Sequence, residues 1–194
     1  MLQLIIFVGL QASGKSTFFR AHFATTHEHI SKDLLRNNKN KDRRQTQLIE
    51  SALKSGRSVV VDNTNPTIEV RASLIELGCK YGCEIIGYYF ESQVSNCIER
   101  NSQRTGKARV PEVGIYATNK KLTPPSYAEG FHQLFYVRIA DLEHGDKKMG
   151  QASYPDPNTQ VEKTQNKPAP FFQAMLPTDG FEVCAWTKNE VVDG

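Results

Sequence analysis

A seven-residue apolar run, LQLIIFV at residues 2–8, leads directly into Gly9-x-x-x-x-Gly14-Lys15-Ser16 and then into a helix-compatible segment. A strand, a glycine-rich turn and a helix, in that order, is the context in which this pattern cradles phosphate. Gly9 and Gly14 let the backbone turn tightly, so that N–H groups between Leu10, Gln11, Ala12 and Ser13 face a β-phosphate. The helix starting near Lys15 adds the positive end of its dipole. Lys15 is placed to reach the β and γ oxygens, and the Ser16 hydroxyl, followed by Thr17, to serve Mg²⁺. The expected ligand is ATP or another nucleoside triphosphate.

The remaining chain repeats the alternation. Residues 43–54 carry Leu48, Ile49, Ala52 and Leu53 at helical spacing, with Gly56 beyond. Residues 58–62 (SVVVD) form an apolar strand closed by Asp62, and residues 67–79 a helix with Ala72, Leu74, Ile75 and Leu77, stopped by Gly78 and Gly82. Strand EIIGYYF (84–90), a helix over 93–104, a helix opened by Pro111 and strand QLFYVRI (133–139) follow. Such alternation predicts an α/β, three-layer sandwich of the P-loop kinase type. About five parallel strands are flanked by helices, with the phosphate-loop strand in the middle. Residues 1–140 make the domain, with a lid at about 100–110. In residues 141–194, the aperiodic stretch 150–170 reads as a linker, and 171–186 hold enough apolar residues to dock back on the body as an irregular tail.

Charge divides the chain unequally. Residues 1–140 hold 19 Lys/Arg against 12 Asp/Glu, whereas residues 141–194 hold 5 against 9. A basic body suits a polyanionic substrate and the acidic remainder does not, although charge alone does not separate nucleic acid from nucleotide. The N-terminal apolar run is too short to span a bilayer and lacks the basic start and cleavage site of a signal peptide. Cys79, Cys83, Cys97 and Cys184 show no paired Cys-x-x-Cys spacing, which favours free thiols. A cytoplasmic protein without a membrane contact is expected.

Ligands of an open parallel sheet bind outside the carboxyl ends of its strands. The phosphate loop, Asp33 (after a short strand candidate, Glu28-His29-Ile30) and Asp62 all follow directly after expected strands and so share that edge. Asp62 stands where an acid holds a Mg²⁺-bound water opposite Ser16; an aspartate there also starts a turn by local hydrogen bonding. Asp33 is the candidate base that would align an acceptor hydroxyl with the γ-phosphate, and Arg36, one turn on, would fork onto an acceptor phosphate. Capping of a turn by Asp33, with Arg36 solvated, fits the residues equally. Arg100 and Arg104, spaced i,i+4 in ERNSQRTGKARVP, are suited to a lid closing cationic groups on the transferring phosphate, with hinge freedom from Gly106.

Those residues resemble the 5′-kinase domain of polynucleotide kinases. The resemblance rests on GLQASGKST (9–17), ISKDLLR (30–36), VVVDNTNP (59–66), ERNSQR (99–104), RVP (109–111) and PPSYAEGF (124–131). It implies that Lys15 and Ser16 hold ATP and Mg²⁺ and that Asp33 is the general base for a polynucleotide 5′-OH. It further implies that Arg36 binds an acceptor-side phosphate, Asp62 supports the site, and Arg100 and Arg104 clamp ATP phosphates. Lys32 stands where the family often has arginine. The chain has no DxDGT-type phosphatase motif and no room for a partner domain, so any repair-enzyme partners would be separate chains. The basic stretch 32–44, with six Lys/Arg and two Asp, suits a single-stranded DNA or RNA groove that ignores sequence. Two rivals share the motifs: a phosphotransferase for a small metabolite, and a nucleotide-dependent switch or toxin-neutralising module that binds ATP without catalysis.

Overall fold

The computed structural model describes residues 1–35, 38–140, 172–174 and 180–186 of the 194-residue chain. Strand β1 (Gln3–Val8) runs through the centre and is buried along almost its whole length. Both faces of it are apolar because both are covered. Leu4, Ile6 and Val8 point into one cluster, and Ile5 and Phe7 into the other.

Around β1 the parallel strands β2 (Glu28–Ile30), β3 (Val59–Val61), β4 (Glu84–Phe90) and β5 (Gln133–Ile139) lie in the order β2-β3-β1-β4-β5. Register is set by the apolar runs, with Leu4 opposite Val59 on one side and Ile85 on the other. Helix α1 (Lys15–His22) covers the face carrying Phe7, Phe18, Phe19 and Phe90. Helices α2 (Lys41–Lys54) and α3 (Ile68–Lys80) cover the opposite face, where Ile49, Leu53, Leu74 and Leu77 pack on Leu4 and Val59. Helices α4 (Val94–Ser102) and α5 (Glu112–Asn119) build a small third cluster of Leu10, Cys97 and Ile115 beside the phosphate loop. The fold class is the one expected.

Two details differ from the sequence reading. Gly78 does not stop α3 but lies inside it, where a Cβ would come within 3.0 Å of both Ile85 and Leu4. The missing side chain lets α3 sit close on β1 and β4, and the stop falls at Tyr81 and Gly82 instead. Ala72 is exposed, and the buried place on that helix face is taken by Arg71, which has no exposed surface.

Beyond the five parallel strands the sheet continues into residues that the sequence reading placed in an irregular tail, because their apolar side chains find the open edge of β5. Strand β7 (Phe181–Trp186) pairs antiparallel with β5 from Leu134↔Trp186 to Ile139↔Phe181, and β6 (Phe172–Ala174) pairs antiparallel with β7. Phe181 packs on the α1 face and Trp186 on the α2/α3 face, so β7 is buried on both sides. The segment 150–170, read as a linker, lies outside the described residues. No helix among the described residues is long and apolar enough to cross a membrane.

Candidate active site

The phosphate loop is anchored at its start. The Gly9 N–H donates to the Thr64 carbonyl at 3.0 Å, and the Leu10 N–H to the Ser92 hydroxyl at 3.1 Å. The loop is thereby tied to the segments that follow β3 and β4. Its turn uses positive φ at Ala12 (61°) and Gly14 (98°), and a Cβ at Gly14 would meet the Phe181 ring at 3.1 Å. Among the described residues, the N–H groups of Ala12, Gly14, Lys15 and Ser16 have no protein acceptor. Unpaired donors gathered at a helix start are the set that a phosphate accepts from.

Lys15 is buried, and its ammonium donates to the carbonyls of Gly9 (3.0 Å) and Leu10 and to the Ser13 hydroxyl at 3.1 Å. Burial lowers its pKa to about 8, with the Arg104 charge acting in the same direction and Asp62, Cys97 and Asp33 opposing.

Asp62 emerges from β3 into the interior. Its Oδ2 accepts the Ser16 hydroxyl at 2.6 Å and lies 3.0 Å from His29 Nε2. Burial alone would raise the carboxyl's pKa. The hydrogen bonds from His29 and Ser16 and the nearby Lys15 charge outweigh burial and hold it below the usual value. A hydroxyl paired with an ionised carboxylate, next to unpaired N–H donors, is an oxygen donor set suited to a magnesium-bound triphosphate. The residues present fit that group.

Asp33 sits differently. It lies on a 3₁₀ turn (Lys32–Leu34) just past β2, capped by Ser31, whose hydroxyl accepts the Asp33 N–H at 3.3 Å. The side chain is exposed, and among the described residues its carboxylate makes no hydrogen bond or ion pair. The turn is fixed from outside. Asn63 accepts the Lys32 N–H at 2.9 Å and donates to Gln45 of α2 at 2.7 Å, while Lys32 pairs with Asp42 at 2.5 Å. Arg36 lies outside the described residues.

The arginine pair is not arranged as its spacing suggested. Helix α4 ends at Ser102, so Arg104 lies beyond its end and does not share a helix face with Arg100. Arg100 turns to the loop, its Nε donating to the Ala12 carbonyl at 2.9 Å. Arg104 is exposed yet near enough to act on the Lys15 charge. Ser16 and Asp62 are thus bonded to each other and Lys15 and Arg100 to the loop, whereas Asp33 and Arg104 act on Lys15 through charge alone.

Four side-chain contacts that the sequence reading did not assign shape this region. His29 bonds Asp62, and Asn63 holds the Asp33 turn. The Gln11 side chain, in a loop whose backbone alone was expected to face the phosphate, donates to Thr118 of α5 at 2.9 Å and so joins the loop to α5. Arg71 reaches Glu129 through two bonds, Nε at 2.7 Å and Nη2 at 2.8 Å, and donates to the carbonyls of Asn65 and Thr123. That clamp joins the VVVDNTNP and PPSYAEGF segments through the Asn65 carbonyl and Glu129. Only Asn63 carried a signal in the sequence, its place in a polar turn after an apolar strand.

Comparison with known proteins agrees with this architecture. The sequence model of the AAA domain family matches residues 4–125. A curated relative, the bifunctional polynucleotide phosphatase/kinase of Schizosaccharomyces pombe, is 31% identical over 133 residues, 66% of this chain. The matched region spans only 32% of that relative's length. Among solved structures, Chaetomium thermophilum Kti12 in complex with ADP-AlF3 superposes with a TM-score of 0.53 at 16% identity, covering 70% of this chain and 88% of that one. An unliganded sugar kinase from Janibacter sp. superposes with a TM-score of 0.50 at 14% identity, covering 65% and 80%. These likenesses establish a P-loop kinase fold.

Proposed function

The chain belongs to the AAA domain family, with a P-loop kinase fold, and from that premise we propose that it is an ATP-dependent polynucleotide 5′-hydroxyl kinase. In this reading the loop residues 9–17 hold the triphosphate, with Lys15 on its β and γ oxygens. Ser16 would hold Mg²⁺ directly and Asp62 through water, and the ion would supply charge neutralisation at the phosphates. Asp33 takes the proton of the terminal 5′-OH as its oxygen bonds to the γ-phosphorus. The bond from that phosphorus to the bridging oxygen breaks, and ADP leaves. Arg104 and Arg100 supply positive charge from the lid side, and Arg36 grips the acceptor phosphate.

The observation that carries a polymeric acceptor is the attachment of the Asp33 turn to a basic helix start. Lys32–Asp42 and Asn63–Gln45 fasten that turn to α2, where Arg43 and Arg44 are exposed. Exposed cations leading to an exposed carboxylate give a phosphate backbone a path to the base. The match to a polynucleotide phosphatase/kinase supports the same acceptor.

Labelled ATP, incubated with single- and double-stranded 5′-OH DNA and RNA oligonucleotides and with a panel of sugars and nucleosides, tests this. Label on the oligonucleotide 5′ end, with binding that weakens steeply with salt, is the expected result. Transfer to a sugar or nucleoside but to no oligonucleotide would replace the acceptor. ATP binding with no transfer to any acceptor would leave a switch module.

A further inference from the structure

We propose that His29 is a positioning residue for this site: through Asp62 it holds the Ser16 hydroxyl in the orientation that serves Mg²⁺. The inference rests on the reading of residues 9–17 as a Mg²⁺-triphosphate site.

The Asp62 side chain is only 3% exposed, and both its protein donors converge on one oxygen, Oδ2: Ser16 Oγ at 2.6 Å and His29 Nε2 at 3.0 Å. Oδ1 accepts no hydrogen bond among the described residues and is the oxygen left for a metal-bound water. Which oxygen faces which way is decided by His29. A buried carboxylate beside a lysine would otherwise turn toward the ammonium, and the Lys15 charge does act on Asp62. Lys15 instead bonds Gly9, Leu10 and Ser13. With the donor at residue 29 in place, Asp62 stays turned to Ser16.

The imidazole is itself held. It stacks on Phe19 of α1 with ring centroids 4.0 Å apart and planes 15° from parallel. Phe19 lies one turn after Lys15 and Ser16 on the same helix. His29 therefore links β2, the end of β3 and the start of α1 at one point, and its alternation partner Ile30 is buried in the opposite cluster. Partners that orient a metal ligand change metal affinity by about 10–100-fold when removed.

The test separates the donor from the stack. His29→Phe keeps an aromatic ring on Phe19 and removes the N–H, whereas His29→Gln restores a donor near the Nε2 position and removes the ring. Binding of a fluorescent ATP analogue is measured in EDTA and across a Mg²⁺ titration, with thermal melting of each variant. For His29→Phe we expect metal-free binding within about twofold of the parent and a Mg²⁺ half-saturation raised about tenfold. His29→Gln should recover most of that shift. An unchanged Mg²⁺ titration in His29→Phe, or a shift that His29→Gln fails to recover while melting normally, would overturn the role. Absence of any Mg²⁺ effect in the parent protein would overturn both the role and the metal-triphosphate reading beneath it.

Discussion

Asp62 and Asp33 follow neighbouring strands of one sheet, yet the chain treats them in opposite ways. Asp62 is buried, ionised and held by two donors, with its oxygens assigned. Asp33 projects from a short turn into solvent, with its backbone fixed and its side chain unbonded among the described residues. Under the proposed function, the difference follows from what each side would do. A group that orients a metal gains from one fixed rotamer, and in the interior that requires paired donors. A base for the end of a polymer must stay accessible until the polymer arrives, so its alignment is completed by the acceptor. In that reading the donor half is built before binding, and the acceptor half would be finished by it.

The largest expected effect tests the frame that supports the donor half. Arg71 donates to the Asn65 carbonyl, the Asn65 amide donates to the Phe7 carbonyl at 2.8 Å, and Gly9 is bonded to the neighbouring Thr64. Replacing Arg71 by Met leaves Glu129, 6% exposed, without its ion partner. The cost should be about 3–5 kcal/mol in chemical denaturation. A loss under 1 kcal/mol would mean that the clamp does not hold the loop's base.

Next in size are the two substitutions that divide the halves. Lys15→Ala should lose both ATP binding and turnover, the latter by about 10³-fold. Asp33→Asn should keep ATP affinity within about twofold while turnover falls about 10²-fold. Isothermal titration with ATP and single-turnover transfer read the two quantities separately. Full transfer by Asp33→Asn would end the assignment of Asp33 as base.

A smaller effect reports on Lys15 through pH. Its value in the folded chain, about 8, lies below the ordinary 10.5 of an unfolded lysine. Between those values the unfolded chain binds the extra proton, so the contribution of this group to stability rises with pH across that window. ATP favours the charged form, so affinity should fall as pH rises through about 8, with proton uptake on binding. Calorimetry in buffers of different ionisation enthalpy measures that uptake. Identical affinity at pH 7 and 9 would show that the ammonium stays charged throughout.

How much of this was legible depended on how local each cause is. The strand, loop and first helix are fixed by contiguous residues, and Asp62 was found because it closes an apolar run. Arg100 and Arg104 were misjudged because helical spacing has meaning only while the helix continues, and α4 stops at Ser102. Arg71 gave no signal: a charge on a helix looks solvated until Glu129, 58 residues away in sequence, is brought to it. His29 is likewise 33 residues from Asp62. For β7 the docking was legible from its apolar residues but the strand was not, because its pairing partner β5 is reached only through the fold.

The smallest effect concerns the acceptor turn. Lys32 and Asp42 lie 2.5 Å apart, with side chains 32% and 84% exposed. In solvent such a pair contributes about 0.2–1 kcal/mol and is screened by salt. The Asn63 amide, by contrast, bridges the Lys32 N–H to Gln45, which is 5% exposed, and losing it strands buried polar groups at about 1–3 kcal/mol. Lys32→Met should therefore destabilise by less than 1 kcal/mol, with the difference gone at about 1 M salt, where the screening length is only a few ångströms. Asn63→Ala should cost more at any ionic strength. If Lys32→Met proved the costlier change, the turn would be held by surface charge rather than by an interior amide. The acceptor half would then loosen with salt as a unit, instead of presenting a fixed backbone beneath a free side chain.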